Sequence, residues 1–354
     1  MTTILKNKRN VAMDAIKAFA IFLVVYGHSI QYISGVDFWN NRIFQIVYSV
    51  HMPLFFAISG FFFVGQENKT FLEFLKRKSL TLLLPCFVWA TLSAFVSLVT
   101  GGDFLSFVLK IINPLGWPFW FLKGLFVVQL IAWICLWVTK KLAKRHFVIW
   151  AAVLSLVVFL VPGAYVARVM LPIFLGGWFL RHHYDWLQTH LGITTLVSGM
   201  IYIIFLLFWN SEGMRFYSGT SLSFYGCFNS ESHPWNDWMM LLYRIVLGLS
   251  GSFFVIGIFH YLKQVPQWIQ IIGISTEAIY ILQACLVEHL IGGFIAQKTD
   301  WLVSIQGLPL WLLFGMVLPI LSIGFVLLCT LIYQQTKYVP YAGRILFGGA
   351  YVRV

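Results

Sequence analysis

A chain of 354 residues that is 60% hydrophobic, 18% aromatic and only 10% charged excludes an ordinary soluble domain, in which about a quarter of residues carry charge. Its 24 Lys+Arg outnumber its 12 Asp+Glu, but in so apolar a chain basic residues belong in loops retained in the cytoplasm, so nucleic acid is not an expected partner. The five cysteines (Cys86, Cys135, Cys227, Cys285, Cys329) show no C-x-x-C spacing and four lie inside apolar runs, so neither a metal site nor a disulfide framework is expected.

In chain order, about ten apolar stretches approach the ~20 residues needed to cross a bilayer. They are 11–31, 43–65, 80–99, 118–138, 147–162, 165–181, 191–209, 239–260, 269–292 and 309–333. The basic start KNKR before the first imitates a signal peptide, but this run has span length and leads into many more, so it is expected to be retained. The fifth and sixth are short and are split by Val161-Pro162-Gly163. Basic residues set the orientation. Lys6, Lys8, Arg9, Lys69, Lys76, Arg77, Lys78, Lys140, Lys141, Lys144, Arg145, Arg181, Lys263, Lys337, Arg344 and Arg353 fall on one side, sixteen against seven (Arg42, Lys110, Lys123, Arg168, Arg215, Arg244, Lys298) on the other. The positive-inside rule then puts both termini in the cytoplasm.

The expected fold is therefore all-α: one polytopic transmembrane helical bundle over 11–333, flanked by cytoplasmic tails 1–10 and 334–354. No internal repeat is visible, which argues against a transporter built from inverted halves. The longest outer segment, 210–238, mixes aromatic, Ser, Asn and Gly residues, which suits sugar rings and hydroxyls and equally suits a solvated loop at the aromatic belt.

The first span carries "DAIKAFAIFLVVYGHSIQ" (14–31), although Asp or Lys at a span centre costs about 2.5–3.5 kcal/mol on insertion scales. Eleven residues separate Lys17 from His28; at ~100° per residue they share one helix face, about 16 Å apart along the axis. Asp14 lies a turn before Lys17. The plain reading has Lys17 and His28 snorkelling to opposite interfaces with Asp14 as counter-ion. Other polar groups favour a shared site. His51 opens the second span, Arg244 sits a turn into the eighth, and Glu288 with His289 lies near the end of the ninth. With His28 these occupy the outer third of the bilayer, and four costly groups at one depth are better explained by a polar cavity than by separate accidents. Glu277, eleven residues before Glu288, would extend it inward. For His51, ahead of Met52-Pro53, shaping the start of the helix is the plainer role.

"RNVAMDAIKAFAIFLVVYGHS" (9–29) resembles the opening of the acyltransferase-3 family of bacterial integral-membrane O-acyltransferases, with a basic residue, ten intervening positions and a histidine at Lys17 and His28. "HMPLFFAISGFFF" (51–63) is similar to that family's second-span signature, and "WFLKGLFVVQL" (120–130) and "GISTEAIYILQ" (273–283) to weaker later blocks. Two departures stand out: "KRKSLTLLLP" (76–85) lacks the arginine pair usual before the third span, and Gln283 stands where many relatives place a histidine, so it receives no catalytic role.

The resemblance implies a multi-pass protein of the bacterial cytoplasmic (inner) membrane that moves acetyl from cytoplasmic acetyl-CoA to a sugar hydroxyl of a surface glycan or lipid-linked precursor. Coenzyme A is too charged to cross a bilayer, so its phosphates would stay at Lys76, Arg77, Lys78 and Lys17, with Asp14 beside them, while the pantetheine arm reaches toward His28. His28 would act as general base or as a covalent acyl relay, Glu288 would orient it, and Arg244 with His51 would hold the acceptor. The competing class is a non-enzymatic glycan or lipid exporter whose polar residues line a path.

Overall fold

The computed structural model describes residues 10–99, 101, 103–113, 118–142, 165–209, 211–214, 234–262, 264–295, 307–339 and 341–348, without the side chains of 67, 140–142, 165, 212–213, 234–238, 289–290, 292–295 and 337. The expected fifth span, residues 215–233 of the outer segment, Lys6, Lys8, Arg9, Lys144, Arg145, Arg215, Lys263, Lys298 and Arg353 lie outside the described residues, as does the side chain of His289.

Every regular element among the described residues is helical. The longer ones are α1 (Val11–Ile33), α2 (Arg42–Phe61), α3 (Phe71–Val99), α4 (Phe104–Ile112), α5 (Trp120–Leu142), α6 (Tyr165–His182), α7 (Leu191–Leu207), α8 (Pro234–His260), α9 (Gln267–Ile274), α10 (Thr276–Gln283, continued as π-helix over Ala284–Ile295), α11 (Leu310–Gln335) and α12 (Ala342–Phe347). Six are long and apolar enough to cross a membrane, and α9 with α10 forms a seventh candidate bent by 66°.

Local sequence explains where these helices begin. Asn10 caps α1 through Met13 N, and Asn41 caps α2 by accepting from Ile43 N and Phe44 N. Thr70 and Glu73 form a reciprocal capping box, which stops fraying of the first turn. That box starts α3 at Phe71, nine residues before the apolar run at 80, so Lys76, Arg77 and Lys78 ride on a helix instead of in a loop. Asp103 caps α4, and its hydrogen bonds to Ser106 hold its carboxyl below the usual carboxylate range.

Lys17 over Phe62, Arg181 over Phe61, and Lys69, Arg77 and Lys78 within electrostatic reach of one another mark one end of the bundle, here the basic end. Central packing joins α2 to α6, α7 to α8, and α1 to α2, α9 and α11. Small residues allow the closest approaches: a Cβ on Gly177 would lie 1.9 Å from Ala57 O, and one on Gly273 would lie 2.1 Å from Asp14 O. The lipid-sized apolar surface is on the outside, where Ile193, Leu196, Ile203 and Leu207 of α7 and Ile320, Leu327 and Leu331 of α11 are exposed; hydrocarbon, not water, is the compatible solvent. Gly177→Ala should therefore destabilise the fold by about 1–3 kcal/mol through overpacking, whereas Gly324→Ala, with nothing within 4 Å of the added carbon, should not. Thermal unfolding in detergent micelles checks this; equal melting of the two variants would contradict the α2–α6 contact.

Arg168, counted with the basic residues outside or near the outer ends of the spans, is enclosed within the bundle at 1% exposure, where α6 is covered by α2, α5 and α8. Residues 342–348, expected in a tail, return to the bundle: Phe347 is buried, Trp89 Nε1 donates to Leu346 O at 2.9 Å, and Gly348, at φ 72°, presses on Thr81 O. Pro85 removes the helical N–H that would have reached that carbonyl, and a residue with a Cβ would not fit against it, its Cβ falling 1.9 Å away.

Candidate functional site

The face of α1 shared by Lys17 and His28 connects two polar centres. Toward the basic end, Lys17 lies over the Phe62 ring, 4.8 Å from its centroid, and lines an internal cavity of about 150 Å³ with Ser59, Thr276, Glu277 and Tyr280. Oε1 of Glu277 is buried with no hydrogen-bond partner among the described residues. Lys78 is half-buried and within electrostatic reach of that carboxylate, whereas Lys76 and Arg77 are exposed. The three adjacent cations are thus not equivalent: only Lys78 turns inward. On the rim, burial and then the neighbouring Arg77 push the Lys69 ammonium below its ordinary value, with Glu73 acting in the opposite sense. Asp14 does not line the cavity; it is buried where α1 meets α9.

At the other centre, His28 Nδ1 stands 3.6 Å from Glu288 Oε1. That is an ion-pair distance and too long for a hydrogen bond. Nδ1 is buried with no hydrogen-bond partner among the described residues, although both side chains keep about a quarter of their surface exposed (23% and 24%). Gln283 Nε2 donates to the same Glu288 oxygen at 3.2 Å. Gln283 thus takes an orienting place that sequence reading did not give it. The reason is the winding of α10: in an α-helix residues i and i+5 point apart, but beyond Gln283 the helix becomes π-helical, whose wider turn brings i and i+5 together.

His51 lies within electrostatic reach of His28. Its Nδ1 is 2.8 Å from Val47 O, and because a carbonyl only accepts, Nδ1 must carry the proton and a neutral ring leaves Nε2 as an acceptor. The Tyr48 ring packs on His51 at 5.7 Å and on Trp209 at 6.3 Å. Of the four groups expected at one depth, His28 and Glu288 are in contact, His51 is within electrostatic reach of His28, and Arg244 is within electrostatic reach of Tyr48. Tyr48 packs with Trp39, Phe44 and Trp209 in an aromatic cluster with ring centroids 5.1–6.3 Å apart.

Such an arrangement offers a cationic rim, an internal cavity with an unsatisfied acceptor, and an imidazole backed by a carboxylate. A family model described as an acyltransferase domain, Acyl_transf_3, matches residues 10–334. Nodulation protein NolL of Mesorhizobium japonicum (strain LMG 29417 / CECT 9101 / MAFF 303099) is 40% identical over 90 residues, 24% of either chain. Nodulation protein NolL of Sinorhizobium fredii (strain NBRC 101917 / NGR234) is 35% identical over 128 residues, 33% of this chain and 34% of the relative. The similarity thus spans a quarter to a third of the length of these curated relatives. No solved structure matches the chain significantly.

Proposed function

The chain belongs to the acyltransferase-3 family, and from that membrane-acyltransferase premise we propose that it transfers acetyl, or another short acyl group, from cytoplasmic acyl-CoA to a hydroxyl of a surface glycan or its lipid-linked precursor. The observation that carries this reading is the single face of α1 with Lys17 on the internal cavity and His28 against Glu288. Such a face spans the distance between a donor too charged to cross the membrane and an acceptor on its far side. The residues fit the donor. Lys69 and Lys78 suit the phosphates of coenzyme A, and the unsatisfied Oε1 of Glu277 suits an amide N–H of the pantetheine arm. Lys76 and Arg77, being exposed, contribute only long-range attraction.

In the reaction His28 takes the proton of the sugar hydroxyl as its oxygen attacks the thioester carbonyl. The new C–O bond forms, the C–S bond breaks, and the coenzyme A thiolate leaves with the proton that His28 returns. An imidazole can both accept and donate a proton, which suits both halves of this exchange. The same histidine serves a covalent relay through an acyl-imidazole equally well. Glu288, held by Gln283, orients the ring and offsets the charge of the imidazolium. His51 Nε2 accepts from an acceptor hydroxyl, and Arg244 with the Tyr48 cluster holds the saccharide.

Sealed vesicles carrying the protein test the orientation. Inside-out vesicles should release coenzyme A thiol from acetyl-CoA and right-side-out vesicles should not, relative to vesicles lacking the protein. Equal release from both, or from neither, would overturn the reading. An exporter would consume no thioester at all.

A further inference from the structure

The coenzyme A site draws its groups from two helices, Lys78 from α3 and Glu277 from α10, and the end of the returning chain lies between them. A Cβ on Gly348 would fall 1.9 Å from Thr81 O, about one turn after Lys78, and 3.0 Å from Glu277 Oε1. Leu82, next to Thr81, lines the internal cavity together with Glu277, whereas no residue of 342–348 does. Gly348 therefore backs two walls of the cavity from outside it. The segment is fastened on both sides. Trp89 Nε1 of α3 donates to Leu346 O at 2.9 Å, and the ring of Phe347, a residue 2% exposed, meets the Tyr333 ring of α11 edge-on with centroids 5.5 Å apart. The Gly348 N–H donates to Arg344 O at 3.0 Å and ends α12 at φ 72°, a left-handed conformation that glycine adopts without strain.

We propose that residues 342–348 are a positioning element of the coenzyme A site, in which Gly348 fixes the spacing between Lys78 on α3 and Glu277 on α10. The inference rests on the function proposed above and adds a residue that sets how well the acyl-CoA is held without touching it. Glu277 Oε1 is buried with no hydrogen-bond partner among the described residues, and the bare backbone of Gly348 packs against it from behind. A side chain at 348 would break this arrangement. Moving its Cβ from 1.9 Å to the 3.4 Å of an ordinary contact with Thr81 O takes a shift of about 1.5 Å. Thr81 O belongs to the backbone and cannot turn aside, so either the helices part or the segment leaves its seat. Binding groups must be held within about 0.5 Å of their productive places, so a shift of that size spoils the simultaneous grip of Lys78 and Glu277 on one ligand. Neither His28 nor Glu288 lines the cavity, so the loss falls on binding and spares the chemical step.

The test measures coenzyme A thiol release by the full chain in inside-out vesicles at varied acetyl-CoA, normalised to folded protein. Gly348→Ala should raise KM for acetyl-CoA by about three- to tenfold, the worth of one hydrogen bond, with kcat kept within about twofold. Gly343→Ala lies in the same segment, where the nearest atom is the side-chain oxygen of Thr336 at 3.3 Å; it should leave KM within about twofold. In a Glu277→Ala background Gly348→Ala should raise KM no further, because the group it displaces is gone, whereas general loosening of the fold would add its full effect. Trp89→Phe keeps an aromatic ring and removes the N–H that holds Leu346 O. It should move KM in the same direction by less, and it decides the matter if Gly348→Ala fails to fold. An unchanged KM in folded Gly348→Ala, or in Trp89→Phe where the first variant does not fold, overturns the positioning role, and so does a full further rise in the Glu277→Ala background. Those outcomes leave acyl transfer standing. A wild type that releases no thiol from acetyl-CoA instead sinks the proposed function, and this inference with it.

Discussion

His28→Ala is expected to lower acyl transfer by about 10²- to 10⁴-fold, the usual contribution of a positioned acid–base group, with acetyl-CoA still bound. The separation follows from geometry: His28 lies outside the cavity that holds Lys17 and Glu277, so its loss falls on the reacting atoms and not on the donor. Turnover and acetyl-CoA-induced thermal stabilisation, measured on the same purified variant, check both halves. Glu288→Gln keeps the shape of the side chain and removes its charge. It should reduce kcat by about tenfold, a loss of about 1.4 kcal/mol of transition-state stabilisation, and leave KM for acetyl-CoA nearly unchanged. Retained turnover in His28→Ala would exclude both the base and the relay, and a Glu288→Gln effect confined to KM would exclude an orienting role.

Lys78→Ala is expected to raise KM for acetyl-CoA by about tenfold or more, because a hydrogen bond to a charged group is worth about 1.5–3 kcal/mol. Lys76→Ala and Arg77→Ala should stay within about twofold, as solvent-exposed charge pairs contribute little. The contrast arises from the faces of α3: Lys78 is half-buried beside Glu277, whereas its two neighbours point outward. Lys17→Ala should resemble Lys78→Ala, since both ammonium groups serve the cavity region. Steady-state kinetics at varied acetyl-CoA and ionic strength distinguishes the cases. Salt should weaken the residual effects of Lys76 and Arg77 more than that of Lys78, because exposed charges are screened more completely than enclosed ones. Equal losses at all three positions would mean that net charge, not placement, governs donor binding.

Much of the fold was legible because the relevant signals are local. Apolar runs of span length locate α1, α2, α5, α8 and α11. The common face of Lys17 and His28 also follows from helical periodicity alone. Depth along separate spans was enough to pair His28 with Glu288, which are 3.6 Å apart, because each lies within a few residues of a span end and the bilayer supplies a common ruler.

What the chain's sequence determined, then, was its class, its helices and the polar residues worth placing. Only the tertiary structure decided the contacts among them. Gln283 reaches Glu288 because α10 changes to π-helical winding, which an α-helical count cannot foresee. The bend at Ser275 and the docking of Gly348 against Thr81 depend on the close approach of backbones far apart in sequence. Lys78 differs from Lys76 and Arg77 through the neighbour its face meets. The physical reason is common to all of them: periodicity and hydropathy act within one helix, whereas burial, pairing and close approach belong to surfaces that exist only after the helices have packed.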